Sequence, residues 1–134
     1  MANEAVKRYS ESTSGDVIID YTVVDAMGIE KGTFLKLLDA RVASTANTQG
    51  EPCAGIAARE KVSGDGRTQL SVHKKGYFDV LASGAITVGD PLILKGIANR
   101  VMAATSGFAS GAAVIGYAEE TASDAETFVM RLDL

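Results

Sequence analysis

With 134 residues, 46% of them hydrophobic and only two prolines, the chain has the length of one domain and enough apolar material for a core, which excludes disorder along its whole length. Lys and Arg number 13 against 17 Asp and Glu, a net charge of −4, and this lacks the basic excess that neutralising phosphates requires, so nucleic acid is excluded as a general partner. No apolar run reaches the roughly 18 residues of a membrane span, no signal-peptide segment opens the chain, and the single cysteine, Cys53, leaves no internal disulfide; the expectation is a protein made and used without crossing a membrane.

In chain order, residues 1–15 come first as a polar stretch. Only Ala2, Ala5, Val6 and Tyr9 interrupt it before Ser10-Glu11-Ser12-Thr13-Ser14-Gly15. Such a segment buries too little apolar surface to offset its ordering entropy, so it is expected to be a flexible N-terminal arm that orders on a partner. From Asp16 onward the pattern is strand and turn. Residues 16–24 are rich in β-branched side chains, and 33–38 follow a glycine. Residues 69–73 alternate, with Leu70 and Val72 on one face and Gln69, Ser71 and His73 on an exposed one. Residues 127–132 place Phe128, Met130 and Leu132 together. Alternation over short runs bounded by Gly, Asp and Ser predicts half-buried antiparallel strands. Residues 63–66 read as a hairpin loop and 89–91 as a tight turn. The best short helical candidates are 24–27 and 105–111. Cys53, between Pro52 and Ala54, reads as a small core residue.

An internal repeat runs through these elements. Ile29, Gly32, Leu35 and Leu37 recur as Ile86, Gly89, Leu92 and Leu94; Arg41-Val42 recurs as Arg100-Val101; Gly55 and Ala57 recur as Gly116 and Ala118; the strand at 69–72 recurs at 127–130. The separations are 57, 59, 61 and 58 residues, in constant order. A unit used twice, in halves of approximately 16–76 and 77–134, predicts a mainly β fold. That fold is a compact antiparallel β-barrel or sandwich with a pseudo-two-fold repeat, forming a single domain over 16–134 behind an extended N-terminal arm. Either half alone would be marginal at its size.

Little in the chain points to catalysis. A nucleophile needs a base beside it, and the one histidine, His73, has no local signature linking it to Cys53. One His and one Cys cannot build a four-ligand zinc site by themselves. Glu119, Glu120, Asp124 and Glu126 form an acidic loop that reads as a solvated hairpin rather than a hard-cation site. No Trp and few other aromatics disfavour sugar-processing grooves, and the glycines form neither phosphate-binding fingerprint. The basic pairs Lys7-Arg8 and Lys74-Lys75 read as solvated surface. The expectation is no catalysis, no cofactor and no metal: an interaction protein.

The segment Gly84-Ala85-Ile86-Thr87-Val88-Gly89-Asp90-Pro91-Leu92 resembles the GAITAGDPV stretch of small capsid cement proteins of tailed phages. Val114-Ile115-Gly116-Tyr117-Ala118-Glu119-Glu120-Thr121-Ala122-Ser123 is similar to their GxALExAS segment. The likeness covers roughly 16–132 and is sharpest over 84–132; the long Gly/Ala/Ser-rich 104–113 linker and the polar arm depart from it. It implies a β-rich decoration protein on the outer surface of an HK97-type phage head, made in the host cytoplasm, with the major capsid protein as partner. Self-association as a homotrimer at three-fold and quasi-three-fold positions would bridge adjacent capsomers and stabilise the mature capsid. Within the arm, Lys7 and Arg8 are expected to pair with capsid acids and Tyr9 to act as an aromatic anchor. The alternatives are a virion-surface module recognising a glycan or receptor, and a head–tail or tail structural protein.

Overall fold

Strands form where the β-branched and alternating runs lie. In the first half these are β2 (Ile18–Thr22), β3 (Phe34–Asp39), β4 (Val42–Thr45), β5 (Cys53–Ala57) and β6 (Gln69–His73). They close into a barrel in the order β2-β4-β3-β5-β6. The second half supplies β7 (Lys75–Ala82), β8 (Pro91–Leu94), β9 (Arg100–Ala103), β10 (Gly116–Ala118) and β11 (Thr127–Asp133). Their order is β7-β11-β10-β8-β9, and a parallel pairing of β9 with β7 closes the ring. The computed structural model describes residues 4–9, 18–104 and 113–134, with the side chains of 7–9 outside that set. The helical candidate at 105–111 also lies outside the described residues. The one at 24–27 is a turn, in which the Met27 N–H donates to the Val24 carbonyl at 3.1 Å.

The fold is therefore mainly β, and it is built as two barrels with one ladder plan. The parallel contact Thr22–Val42 recurs as Leu81–Arg100. Leu35 faces Gly55 as Leu92 faces Gly116. The isolated bridge Ile29–Lys61 recurs as Ile86–Ala122. Gly32 and Gly89 both sit at φ +89°, a conformation glycine adopts without strain. Each uses its N–H to reach the next strand, at Ala57 O (2.9 Å) and Ala118 O (2.8 Å). One landmark needs correction. The register equates Val42 with Arg100, a separation of 58 rather than 59. The shared Arg-Val dipeptide therefore does not align in the ladders; the left-handed residues are Arg41 (φ 57°) in the first turn and Ala98 (φ 55°) and Asn99 (φ 54°) in the second.

Side chains from all five strands fill barrel one, among them Tyr21, Leu35, Ala43, Ala54 and Leu70. Barrel two is filled by Val80, Leu92, Val101, Phe128 and Met130, and the same cluster takes in Phe34, Cys53 and Ile56 from the outer face of barrel one. This explains why β5 is buried at every position. Ala54 and Ala57 point into their own barrel, while Cys53 and Ile56 point at the other. Phe34 and Ile56, fully buried there, each contribute about 1.5–3 kcal/mol to holding the barrels together. His73, expected on an exposed face, is buried for the same reason: barrel two covers that face, and Phe78 meets the imidazole edge-on at 5.3 Å between centroids.

Residues 4–9 of the expected arm lie against this body. Ala5 is buried and its N–H donates to Gly32 O at 2.7 Å. Beyond it, β1 (Val6–Tyr9) pairs antiparallel with β7 over Tyr77–Asp79, on the edge that β9 leaves uncovered. An unpaired strand edge is a template for such pairing. The rest of the arm lies outside the described residues.

Candidate functional site

Lys7, Arg8 and Tyr9, the contact candidates in the sequence, all fall in β1, which ends the second sheet. Their side chains lie outside the described residues; Val6 beside them is exposed. The backbone therefore carries them on a sheet edge fixed to barrel two.

Cys53 and His73 sit on the buried outer face of barrel one. Burial pushes the Cys53 thiol up to about 12, against a smaller lowering by hydrogen bonding from the Gly55 backbone, and the thiol itself donates to Gly55 O at 3.8 Å. Desolvation penalises the thiolate, so the sulfur behaves as a small apolar group.

The acidic loop does more than solubilise. Glu120 Oε1 accepts the Val129 N–H at 2.9 Å, Glu126 Oε1 accepts the Ser123 N–H at 2.6 Å, and Asp124 Oδ1 accepts the Gly84 N–H at 2.8 Å. Glu120 thus ties the loop to β11, Asp124 ties it to Gly84 just past β7, and Glu126 closes the loop on itself. Among the described residues no group of three or more His, Cys, Asp or Glu is placed to hold a metal ion.

The Lys74-Lys75 pair, expected as solvated, is engaged at both members. Lys74 Nζ donates to Tyr21 OH at 2.8 Å and to Ala54 O at 2.9 Å, above the Tyr21 ring. Lys75 Nζ donates to Asp133 at 3.0 Å. Sequence reasoning missed Lys61 altogether. Its buried ammonium meets Asp25 and Asp65, each at 3.1 Å, and the carbonyls of Asp25 and Val62. Lys61 and Asp65 four apart in a Gly-rich loop were the one available signal; nothing in the sequence pointed to Asp25.

Two surfaces remain. The first is the junction between the barrels, pinned by the buried Asn99 amide. Its Oδ1 accepts the Phe34 N–H at 2.8 Å and its Nδ2 donates to Gly32 O at 2.9 Å. Beside it lies a cleft of about 340 Å³ lined by Ala5, Val6, Ile56, Ala57, His73 and Phe78. The second is the end of barrel one where β3 turns into β4. There Ile18, Ile19, Leu37 and Leu38 are exposed.

The described residues thus form two closed barrels with exposed apolar side chains at one end of barrel one. A family model described as phage cement protein matches residues 13–134. The chain belongs to that family. A phage cement protein is a structural protein of the virion head that binds the capsid, so the resemblance in the sequence is confirmed. The fold is also similar to the head fiber gp8.5 N base in bacteriophage phi29. That match has a TM-score of 0.56 and 18% identity, over 88% of this chain and 94% of that one. No curated protein matches the sequence. The stretches that carried the resemblance now have a structural meaning: 84–92 forms the Gly89 turn and the start of β8, and 114–123 forms β10 and the loop that bridges back to Ile86.

Proposed function

We propose that this cement protein decorates the outer surface of an HK97-type phage head as a homotrimer at three-fold and quasi-three-fold positions. There it bridges neighbouring capsomers and stabilises the mature shell, with no covalent bond made or broken and no cofactor. The major capsid protein is its partner, and free protein waits in the host cytoplasm during assembly. Family membership over residues 13–134 carries this reading, and the rigid double barrel supports it. A body whose two halves share one buried junction transmits load between its contacts instead of unfolding between them. A trimer releases a capsomer junction only when every contact lets go, and linked contacts of modest strength raise avidity by about 10²–10⁴.

Lys7, Arg8 and Tyr9 are the proposed capsid contacts, presented from the sheet edge at β1. The test mixes purified expanded capsids with full-length protein and with the triple variant Lys7→Ala, Arg8→Ala, Tyr9→Ala. Occupancy near saturation and a raised capsid melting temperature are expected for the full-length chain, with both falling for the variant. Capsids left bare by the intact protein overturn the reading; an unaffected variant removes β1 from it.

A further inference from the structure

The duplicated plan lets each surface of one barrel be compared with the same surface of the other, and the two barrels differ in what covers them. Ile19 and Leu37 point along the inner side at the open end of barrel one. The register equates them with Phe78 and Leu94 of barrel two. Phe78 and Leu94 are 1% and 0% exposed, whereas Ile19 and Leu37 are 37% and 43% exposed. Barrel one causes that burial. The end of barrel two is capped by the outer wall of barrel one, where Phe34, Ile56 and His73 stand. The same end of barrel one has no cap among the described residues, yet it keeps apolar side chains there. Their strand neighbours Leu38 and Ile18 are 55% and 51% exposed.

The wall is duplicated too. Phe34, Ile56 and His73 correspond to Pro91, Tyr117 and Arg131 of barrel two. Ile56 is 0% exposed, whereas Tyr117 is 39% exposed with the Arg131 guanidinium 5.5 Å from its ring centre. The chain thus holds one completed junction, wall one on end two, and the two uncovered halves of a second, end one and wall two. Each uncovered half keeps apolar side chains at part of its positions, Ile19 and Leu37 on the end and Pro91 and Tyr117 on the wall.

We propose that the uncovered end of barrel one in one copy receives the Tyr117 wall of barrel two in a second copy of this chain. The intermolecular contact repeats the intramolecular junction. Such a contact is heterologous, so it propagates head to tail and closes into a ring when the rotation allows. Three copies then alternate six barrels around one axis. The contact itself stands on the register and the burial; only the number of copies rests on the cement reading. Arg131 in place of His73, and Lys74 in place of the buried Leu132 at the matching end position, make this junction more polar than the internal one. It is a reversible association, not part of the folded monomer. The capsid shell is the rival occupant of the same patch.

A complementation experiment on the full-length protein separates these. Sedimentation velocity of the wild type should show concentration-dependent association. Leu37→Asp spoils the end and leaves the wall, and Tyr117→Asp does the reverse. Each alone should shift half-association upward by about 30-fold or more, as loss of a central anchor does. An equimolar mixture should recover one good contact and form a 1:1 dimer that neither variant forms alone. Far-UV circular dichroism checks folding, and Leu37→Ser and Tyr117→Ser replace any variant that fails it. A wild type that stays monomeric up to about 1 mM, variants that associate like wild type, or a mixture that stays monomeric each overturn the proposal. Capsids decorated by a monomeric wild type overturn this contact and leave the cement reading standing. A ring that leaves capsids bare does the opposite.

Discussion

Gly55 and Gly116 hold the same place in the two barrels. A Cβ on either would lie nearer than 3.0 Å to a carbonyl oxygen of the adjoining strand, that of His73 for Gly55 and that of Arg131 for Gly116. The strands β5–β6 and β10–β11 approach so closely there that only a hydrogen atom fits. Gly55→Ala and Gly116→Ala must each push a ladder apart. The expected loss is about 1–3 kcal/mol per substitution, with Gly55→Ala the worse because its φ of +139° also strains any other residue. Urea denaturation of the two variants beside wild type measures this, and a midpoint unchanged within error refutes the close-approach argument.

The Asn99 amide joins the turn between β8 and β9 to the backbone of barrel one. Asn99→Ala leaves the buried Phe34 N–H without that acceptor and the Gly32 carbonyl without that donor. It also places alanine at φ 54°, a left-handed conformation asparagine tolerates better. A loss of about 1–3 kcal/mol is expected. Because the junction is shared, both barrels should still melt in one transition, read by calorimetry as equal calorimetric and van't Hoff enthalpies.

Acid should weaken the turn region closing the far end of barrel one. The Arg67 N–H, chiefly, lowers the Asp65 carboxyl from 3.8 to about 2; its partial burial opposes this, and Lys61 and the Val62 N–H add to the lowering. A folded pKa below the unfolded one means stabilisation that is complete above about 3.8 and lost as pH falls through about 2. At Lys61 burial pulls downward, but Asp65 and Asp25 outweigh it and hold the ammonium above 10.5, so its share is present below that pH and lost above its folded value. Melting temperature against pH should fall less steeply between 4 and 2 for Asp65→Asn than for wild type. Parallel curves would remove Asp65 from the acid response.

Cys53 should be silent toward thiol reagents. With its pKa near 12 and its sulfur buried, the native protein at pH 8 exposes almost no thiolate. A disulfide-exchange reagent should titrate no thiol in native buffer and one per chain in guanidinium chloride. Fast native labelling would show the wall of barrel one opening away from barrel two.

Much of this fold was legible in the sequence. Period-two alternation located β6 and β11 because each has one face against an apolar interior, and the ordered landmarks located the duplication because each marks a backbone demand: a turn at Gly32 and Gly89, a close crossing at Gly55 and Gly116. The misreadings share one origin. His73 looked solvent-facing by alternation within its strand, and Lys74 and the acidic loop looked merely solvated. Each is partnered from another element: His73 by Phe78 across the barrel junction, Lys74 by Tyr21 on β2, and the acidic loop by Gly84 past β7. Pattern along one strand reports which side chains share a face, and it is silent about what the outer face meets.

Composition, periodicity and ordered landmarks determined a mainly β chain, duplicated and without a catalytic signature, and the stretches 84–92 and 114–123 carried its resemblance to phage cement proteins. Those properties are local or statistical, so they survive without coordinates. Only the tertiary structure decided that the repeat makes two closed barrels rather than one, that barrel one caps barrel two, and that the reverse surface stays uncovered. Closure depends on the parallel pairings of β2 with β4 and β7 with β9, and capping depends on the outer faces of Phe34 and Ile56 meeting the end of the other barrel. Both are contacts between residues far apart along the chain, whose formation is set by how whole units pack.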